Sequence, residues 1–197
     1  MKVMARSGSA LLVIDMLEDF VRPGASLEVP RTREILPALR RRVSRARREG
    51  DLVVYVCDSH RENDSEFARM GWPPHAVAGT MGAAVIREIA PKPGDVVVEK
   101  KTYSGFHRTN LQSVLRRHDI RSVSLSGCVT NICILYTAAA AAMRGYDVTV
   151  EEAVVAGLDD KSHRFALDQM EKVLGARVIR GRGHSSPASR GRKERGR

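Results

Sequence analysis

The stretch ALLVID, residues 10–15, is an unbroken apolar run closed by an aspartate. A strand with one wet face alternates polar and apolar residues, whereas a run that is apolar throughout suits a strand covered on both faces. Short β-branched runs recur outward from it at Leu52–Cys57, Asp95–Glu99, Ser122–Ser126, Tyr146–Val150 and Arg177–Ile179. Between them the pattern predicts helices near 31–48, 83–89, 108–118, 131–144 and 162–174. Gly50, Gly94, Gly145 and Gly175 each stand shortly before a strand, where helix C-terminal signals belong. Strands and helices alternating in this way predict an α/β protein with one parallel sheet. The segment 58–82 is the one long irregular stretch, and loops of that length usually carry function.

A chain of 197 residues fits one ordinary domain with a sizeable core, and 43% hydrophobic with 28% charged residues is the balance of a soluble globular protein. No apolar run approaches a membrane span. The start, MKVMARSGSALLVIDM, carries Asp15, with Glu18 soon after, where a signal peptide would have its small-residue cleavage site. It therefore reads as a first strand, and the expected location is the cytoplasm. Cys57, Cys128 and Cys133 are too few and oddly numbered for a disulfide framework, which leaves room for a working thiol.

The net charge of +10 concentrates in two places. One is Arg40, Arg41, Arg42, Arg45, Arg47 and Arg48, on a predicted helix whose Ile35, Leu36, Leu39 and Val43 face the core, so the arginines read as its wet face. The other is the tail RGRGHSSPASRGRKERGR, almost without apolar residues and expected to be disordered. The expected division is a catalytic domain over 1–180 and a basic tail over 181–197, with weak, sequence-independent nucleic-acid contact through the tail.

Ligands of an open parallel sheet bind outside the carboxyl ends of its strands. The polar residues at those ends are Asp15, then Asp58 with His60, then Lys100, and finally SGCVTNIC, which puts Cys133 in the first turn of the next helix. An aspartate at a strand end is commonly a turn residue, but an acid, a lysine, a thiol and a metal-type pair converge here on one edge. A thiol at a helix start feels the positive end of the helix dipole, and a nearby lysine favours its thiolate. Asp15 can accept the thiol proton, and Thr130 is the expected helix cap. Cys57 reads as core and Cys128 as structural. Asp58 and His60, with His75, make one carboxylate and two imidazoles, a set that suits a divalent transition metal: zinc foremost, or iron or manganese.

Four segments then carry a resemblance, in order, between residues 9 and 179: LLVIDMLEDF, DSH followed by WPPHAVAGT, EKKTYSGF, and SGCVTNICI, with RGYDV and LGARV behind them. They resemble the isochorismatase-like cysteine hydrolases, and nicotinamidases and pyrazinamidases most of all. The resemblance implies a three-layer α/β/α sandwich with a six-stranded parallel sheet, its first and fourth strands neighbours at the centre. It implies Asp15 as catalytic base, Cys133 as nucleophile, and Lys100, selected over Lys101 by its spacing to YSGF. It further implies a cis peptide before Val129, an oxyanion hole of the Val129 and Cys133 N–H groups, and Asp58, His60 and His75 as metal ligands. Phe20 and Trp72 would flank a ring substrate, with Tyr103 beside them. The implied reaction converts nicotinamide, or a similar small ring amide, to the acid and ammonia through a thioester. A role in NAD salvage and a homo-oligomeric assembly go with it.

Two departures stand out. Asn131 occupies the position two before the nucleophile, where nicotinamidases usually have aspartate. The further metal ligand that many nicotinamidases supply between the two motifs would fall to Glu62, Asp64 or Glu66, or its position would be filled by water. The alternative is an N-carbamoyl amidase or isochorismatase-type hydrolase of the same fold, although those relatives generally lack the D-x-H…W-P-P-H set.

Overall fold

The computed structural model describes residues 8–181. Six strands form one all-parallel sheet: β1 (Ser9–Ile14), β2 (Leu52–Asp58), β3 (Val96–Lys100), β4 (Ser122–Cys128), β5 (Asp147–Ala156) and β6 (Arg177–Ile179). Their order across the sheet is β3-β2-β1-β4-β5-β6, so β1 and β4 are central neighbours as the resemblance implies. Both faces are covered. On one side α4 (Leu111–Arg117), α5 (Leu135–Ala142) and α6 (Asp160–Lys172) pack Leu115, Ala138 and Leu167 against Leu12 and Val54. On the other, α2 (Thr32–Glu49) and the short α1 (Glu18–Val21) set Leu39, Val43 and Phe20 against Leu11 and Val53. Each fully buried Val, Leu or Ile side chain contributes roughly 1.5–3 kcal/mol to such a core, which is why β1 and β2 read as unbroken apolar runs.

Register decides where chemistry can gather. Ile14 lies opposite both Val56 and Gly127, and Asp58 lies opposite Lys100, so the polar ends of β1 to β4 meet at one edge. Gly127 permits this. Its φ is 107°, and a Cβ there would come within 1.9 Å of the Ile14 carbonyl oxygen.

The structure corrects several sequence expectations. Residues 83–89 form no helix; they fall within two 3₁₀ turns, Met81–Ala83 and Arg87–Ile89, and the stretch between them. The irregular segment 58–82 contains α3 (Ser65–Met70), started by Asp64, whose side chain accepts the Glu66 N–H. The helix after β4 opens as a π turn over Thr130–Ile134 before α5 begins. Gly50 does terminate α2 in the left-handed conformation, its N–H on the Ala46 and Arg47 carbonyls. The arginines of α2 divide: Arg40, Arg41, Arg45 and Arg48 are exposed, whereas Arg42 is buried against Glu151 and Arg47 reaches Asp95 and Tyr55. The predicted tail lies outside the described residues apart from its first residue, Gly181, whose N–H donates to Glu152.

Candidate active site

Lys100 stands at the centre of the polar edge, 1% exposed. Its Nζ lies 2.7 Å from Asp15 Oδ2 and 3.4 Å from Cys133 Sγ, and it also donates to Asp58 Oδ1. Burying an ammonium group costs several kcal/mol unless anions surround it, and two carboxylates do so here. Burial works against its charge, but Asp15 and Asp58 hold its pKa well above the ordinary lysine value. Lys101 takes no part in this centre and reaches only the Ser59 carbonyl at 3.3 Å.

Asp15 leaves β1 in the left-handed region, φ 51°, an uncommon conformation for a side-chain-bearing residue and one that collects at functional sites. Its Oδ1 accepts the Asp58 N–H at 2.8 Å, which fixes the carboxylate plane, while the buried Oδ2 is ion-paired with Lys100, and the Cys133 thiol lies within 4.8 Å of the carboxylate. Burial and the neighbouring Asp58 raise its pKa to about 6, against the opposing pull of Lys100. Asp58 is held below the usual carboxylate range: burial opposes that, and Lys100 and His60 overcome it.

Cys133 sits in the π turn, 7% exposed. The peptide joining Cys128 to Val129 is cis. The Val129 carbonyl accepts from Ile132 at 2.9 Å and Ile134 at 3.3 Å, and the Cys133 N–H between them does not bond to it. Thr130 is not a cap. Its hydroxyl meets His163 Nδ1 at 2.9 Å and ties the nucleophile turn to α6, a link that no local sequence signal shows. Burial drives the Cys133 pKa well above the ordinary thiol value; Lys100 opposes this, and the charges of Asp15 and Asp58 add to it. A thiol whose pKa is raised in this way needs a proton acceptor beside it for attack, and Asp15 is the neighbouring carboxylate. Cys57 and Cys128 are buried too, the first within β2 and the second with its Sγ 3.2 Å from the Asp15 carbonyl.

Beside this centre lie Asp58, His60 and His75, all buried, with one donor atom of each within 4.8 Å of the others. The two loops that bring the histidines are pinned together: His60 N–H donates to Ala76, and Ala78 N–H donates back to His60, both at 2.9 Å. Asp19 of α1 holds the second loop by accepting the Ala76 N–H at 2.8 Å, and Gly82 leaves room for its carboxylate. His60 Nδ1 is engaged by Asp64 at 3.2 Å and His75 Nδ1 by the Pro73 carbonyl at 2.9 Å. Metal-binding histidines are commonly oriented in this way, which leaves Nε2 as the donor atom. Without a cation the cluster of Asp15, Asp58 and Lys100 carries one uncompensated buried negative charge when both acids are ionised. A divalent cation on Asp58, His60 and His75 fits both that charge and that donor set.

The three candidate further ligands separate in the structure. Glu62 is exposed; Asp64 is spent on His60 and on capping α3; Glu66 is buried and lines the pocket. That pocket is a narrow cavity of about 90 Å³, and Phe20, Trp72, Tyr103, Val129 and Cys133 share its wall with the histidines. The Trp72 ring stands 5.9 Å from His75 and 6.3 Å from Tyr103. Sequence reasoning missed Leu27, Val29, Ile132 and Leu158, apolar residues that close the same cavity. Asn131 does not line it; its Oδ1 is buried without a partner among the described residues.

A model of the isochorismatase domain matches residues 9–182. The chain belongs to the isochorismatase family. Solved structures similar to it include N-carbamoylsarcosine amidase from Thermoplasma acidophilum, 37% identical over 91% of this chain and 99% of that one, with a TM-score of 0.80. Pyrazinamidase/nicotinamidase from Streptococcus mutans UA159 is 31% identical over 87% and 100% of the two chains, with a TM-score of 0.82. Pyrazinamidase of Pyrococcus horikoshii, solved in complex with zinc, is 30% identical over 88% and 99%, with a TM-score of 0.81. The six-stranded parallel sheet with helices on both faces is thus the fold of isochorismatase-like hydrolases. No helix among the described residues is long and apolar enough to cross a membrane.

Proposed function

We propose that this family member is a metal-containing cysteine amidohydrolase that converts nicotinamide, or a similar small ring amide, to the carboxylic acid and ammonia. The observation that carries the reading is a single narrow cavity in which Cys133 and the Asp58–His60–His75 set share one wall with aromatic side chains. A thiol alone serves any acyl transfer; a thiol beside a two-histidine, one-carboxylate set suits an amide whose ring carries a nitrogen donor.

In this reading Asp15 Oδ2 takes the Cys133 proton as sulfur attacks the amide carbonyl carbon. The N–H groups of Val129 and Cys133 receive the developing oxyanion, and donors so placed are worth roughly 3–4 kcal/mol each. Asp15 then hands its proton to the departing nitrogen, the C–N bond breaks, ammonia leaves, and a thioester remains on Cys133. Asp15 next takes a proton from water as the water attacks the thioester, and the acid and the thiol are restored. Lys100 keeps Asp15 anionic and offsets charge on sulfur during attack. Asp58, His60 and His75, with Glu66 as the further protein ligand, would hold the metal, which when bound supplies a Lewis-acidic contact for the ring nitrogen. Phe20 and Trp72 confine the ring.

A second reading rests on the 37% identity to N-carbamoylsarcosine amidase together with Asn131, and it assigns a carbamoyl amine as substrate. Ammonia release from nicotinamide, pyrazinamide, benzamide and an N-carbamoyl amine separates the two. Nicotinamide and pyrazinamide should be hydrolysed and benzamide poorly, because a site built to hold a polar atom discriminates strongly against its apolar isostere. Equal rates on nicotinamide and benzamide would reject ring-nitrogen recognition. Turnover of the carbamoyl amine alone would transfer the protein to the second reading.

A further inference from the structure

The outer side of α2 carries four exposed arginines, Arg40, Arg41, Arg45 and Arg48, and the proposed reaction does not use them. Arg41, Arg45 and Arg48 fall four and three residues apart, so they share one helix face, at intervals of about 6 Å and about 5 Å along the axis. They border a groove of about 700 Å³ between α2 and the end of β5, floored by Pro37, Ala38, Ala153 and Val154. Beyond Arg40 and Ser44 a second groove of about 390 Å³ continues the surface to Arg87 and Lys92.

Little of this charge is neutralised among the described residues. Arg45 and the buried Arg42 both donate to Glu151 Oε1, at 2.9 and 2.8 Å. Arg42 Nη1 is buried with no hydrogen-bond acceptor, its nearest carboxylate being Asp51 at 3.7 Å. Arg40, Arg41 and Arg48 are exposed and have neither an ion pair nor a hydrogen bond among the described residues. A helix face designed only to stay wet would mix signs at helical spacing. Here the unpaired cations Arg40, Arg41 and Arg48 face one unpaired acid, Glu49 at the end of the helix, and all three are arginine, the side chain whose planar fork matches phosphate.

From this face we infer a binding surface for the phosphodiester backbone of a nucleic-acid strand, read without regard to sequence. A second copy of the chain is a poor occupant, because a two-fold contact would set arginine on arginine. A peptide would need partners for its main-chain amides, and the larger groove offers side-chain hydrogen bonding only from guanidinium groups, Ser44 and the engaged Glu151. A phosphodiester strand needs only a row of cations and an apolar floor for its sugars. The surface lies away from the catalytic edge, so occupancy there leaves the pocket open.

The test uses the full chain, so that the basic tail is constant, and a labelled single-stranded oligonucleotide of mixed sequence, titrated by fluorescence anisotropy across a salt series. The Arg40→Gln/Arg41→Gln/Arg48→Gln variant should bind at least about tenfold more weakly, and its log–log salt slope should fall by about 2, the counterion release of three lost phosphate contacts. An Arg116→Gln/Arg117→Gln variant, altered on exposed residues of α4 at the opposite face, should bind as wild type does. Thermal melting checks the fold, and the single variant Arg41→Gln, with a slope change of about 0.7, serves if the triple variant melts early. Wild-type protein that fails to bind the oligonucleotide, or an α2 variant that keeps wild-type affinity and slope, overturns the proposal. Polyglutamate competing as effectively as the oligonucleotide per charge also overturns it, and would assign the face to an acidic protein.

Discussion

The two ends of the pocket are built differently. At one end Asp15 directly follows the central strand β1, Lys100 ends the edge strand β3, and Cys133 lies in the turn after the central strand β4, all three strands held in register by main-chain pairing. At the other end His60 and His75 stand on loops, held together by two backbone bonds and by Asp19 from a third element. Strand register cannot slip without turning every core side chain to the wrong face, so the catalytic end is placed by the whole core. The histidine end is placed by a few hydrogen bonds. Asp58 belongs to both, since it ends β2, pairs with Lys100 and completes the histidine set. Changes at the first end should therefore remove chemistry without unfolding the protein. Changes at the second should remove recognition first.

The largest effect should come from Cys133→Ala, which is expected to lower turnover at least about a thousandfold, with a melting temperature close to wild type. Substantial activity in that variant, measured by ammonia release, would erase the distinction between the two ends. Asp15 adds a pH test with a definite sign. Only its carboxylate can accept the thiol proton, so kcat/KM should hold above about pH 6 and fall as pH drops through that value. A profile flat through that region would show that another group takes the proton.

Next in size, His60→Ala and His75→Ala should each lose bound metal by elemental analysis. Both should also narrow the preference for nicotinamide over benzamide while the Cys133 thiol stays titratable. Retained metal with unchanged selectivity would show that the two ends do not divide chemistry from recognition. Glu66→Gln should weaken metal affinity by about 10- to 100-fold, the range seen when a ligand's surroundings are altered; unchanged affinity in a metal-competition titration removes it from the ligand set. Smallest is Cys57→Ala. This thiol is buried within β2 with a pKa pushed far up by burial, and its loss should cost about 1 kcal/mol of stability in a denaturant melt with turnover unchanged.

The amino-acid sequence by itself determined the sheet and its polar edge. Unbroken apolar runs can be satisfied only by strands covered on both faces, and a parallel sheet brings residues as distant as Asp15 and Cys133 to one rim whatever the intervening loops do. Only the tertiary structure decided the rest, because it depends on contacts between segments that carry no local signal. Arg42 is buried by Glu151 from β5, although its helical position looks exposed. Thr130 turns from the helix start to His163 on α6. Of the three acids after His60, only Glu66 is both buried and on the pocket wall, a placement that depends on how α3 packs. The direction of the Cys133 pKa shift is the clearest case. A helix start and a nearby lysine both favour the thiolate, but burial and two neighbouring carboxylates push the thiol pKa up, and burial exists only once the chain has folded.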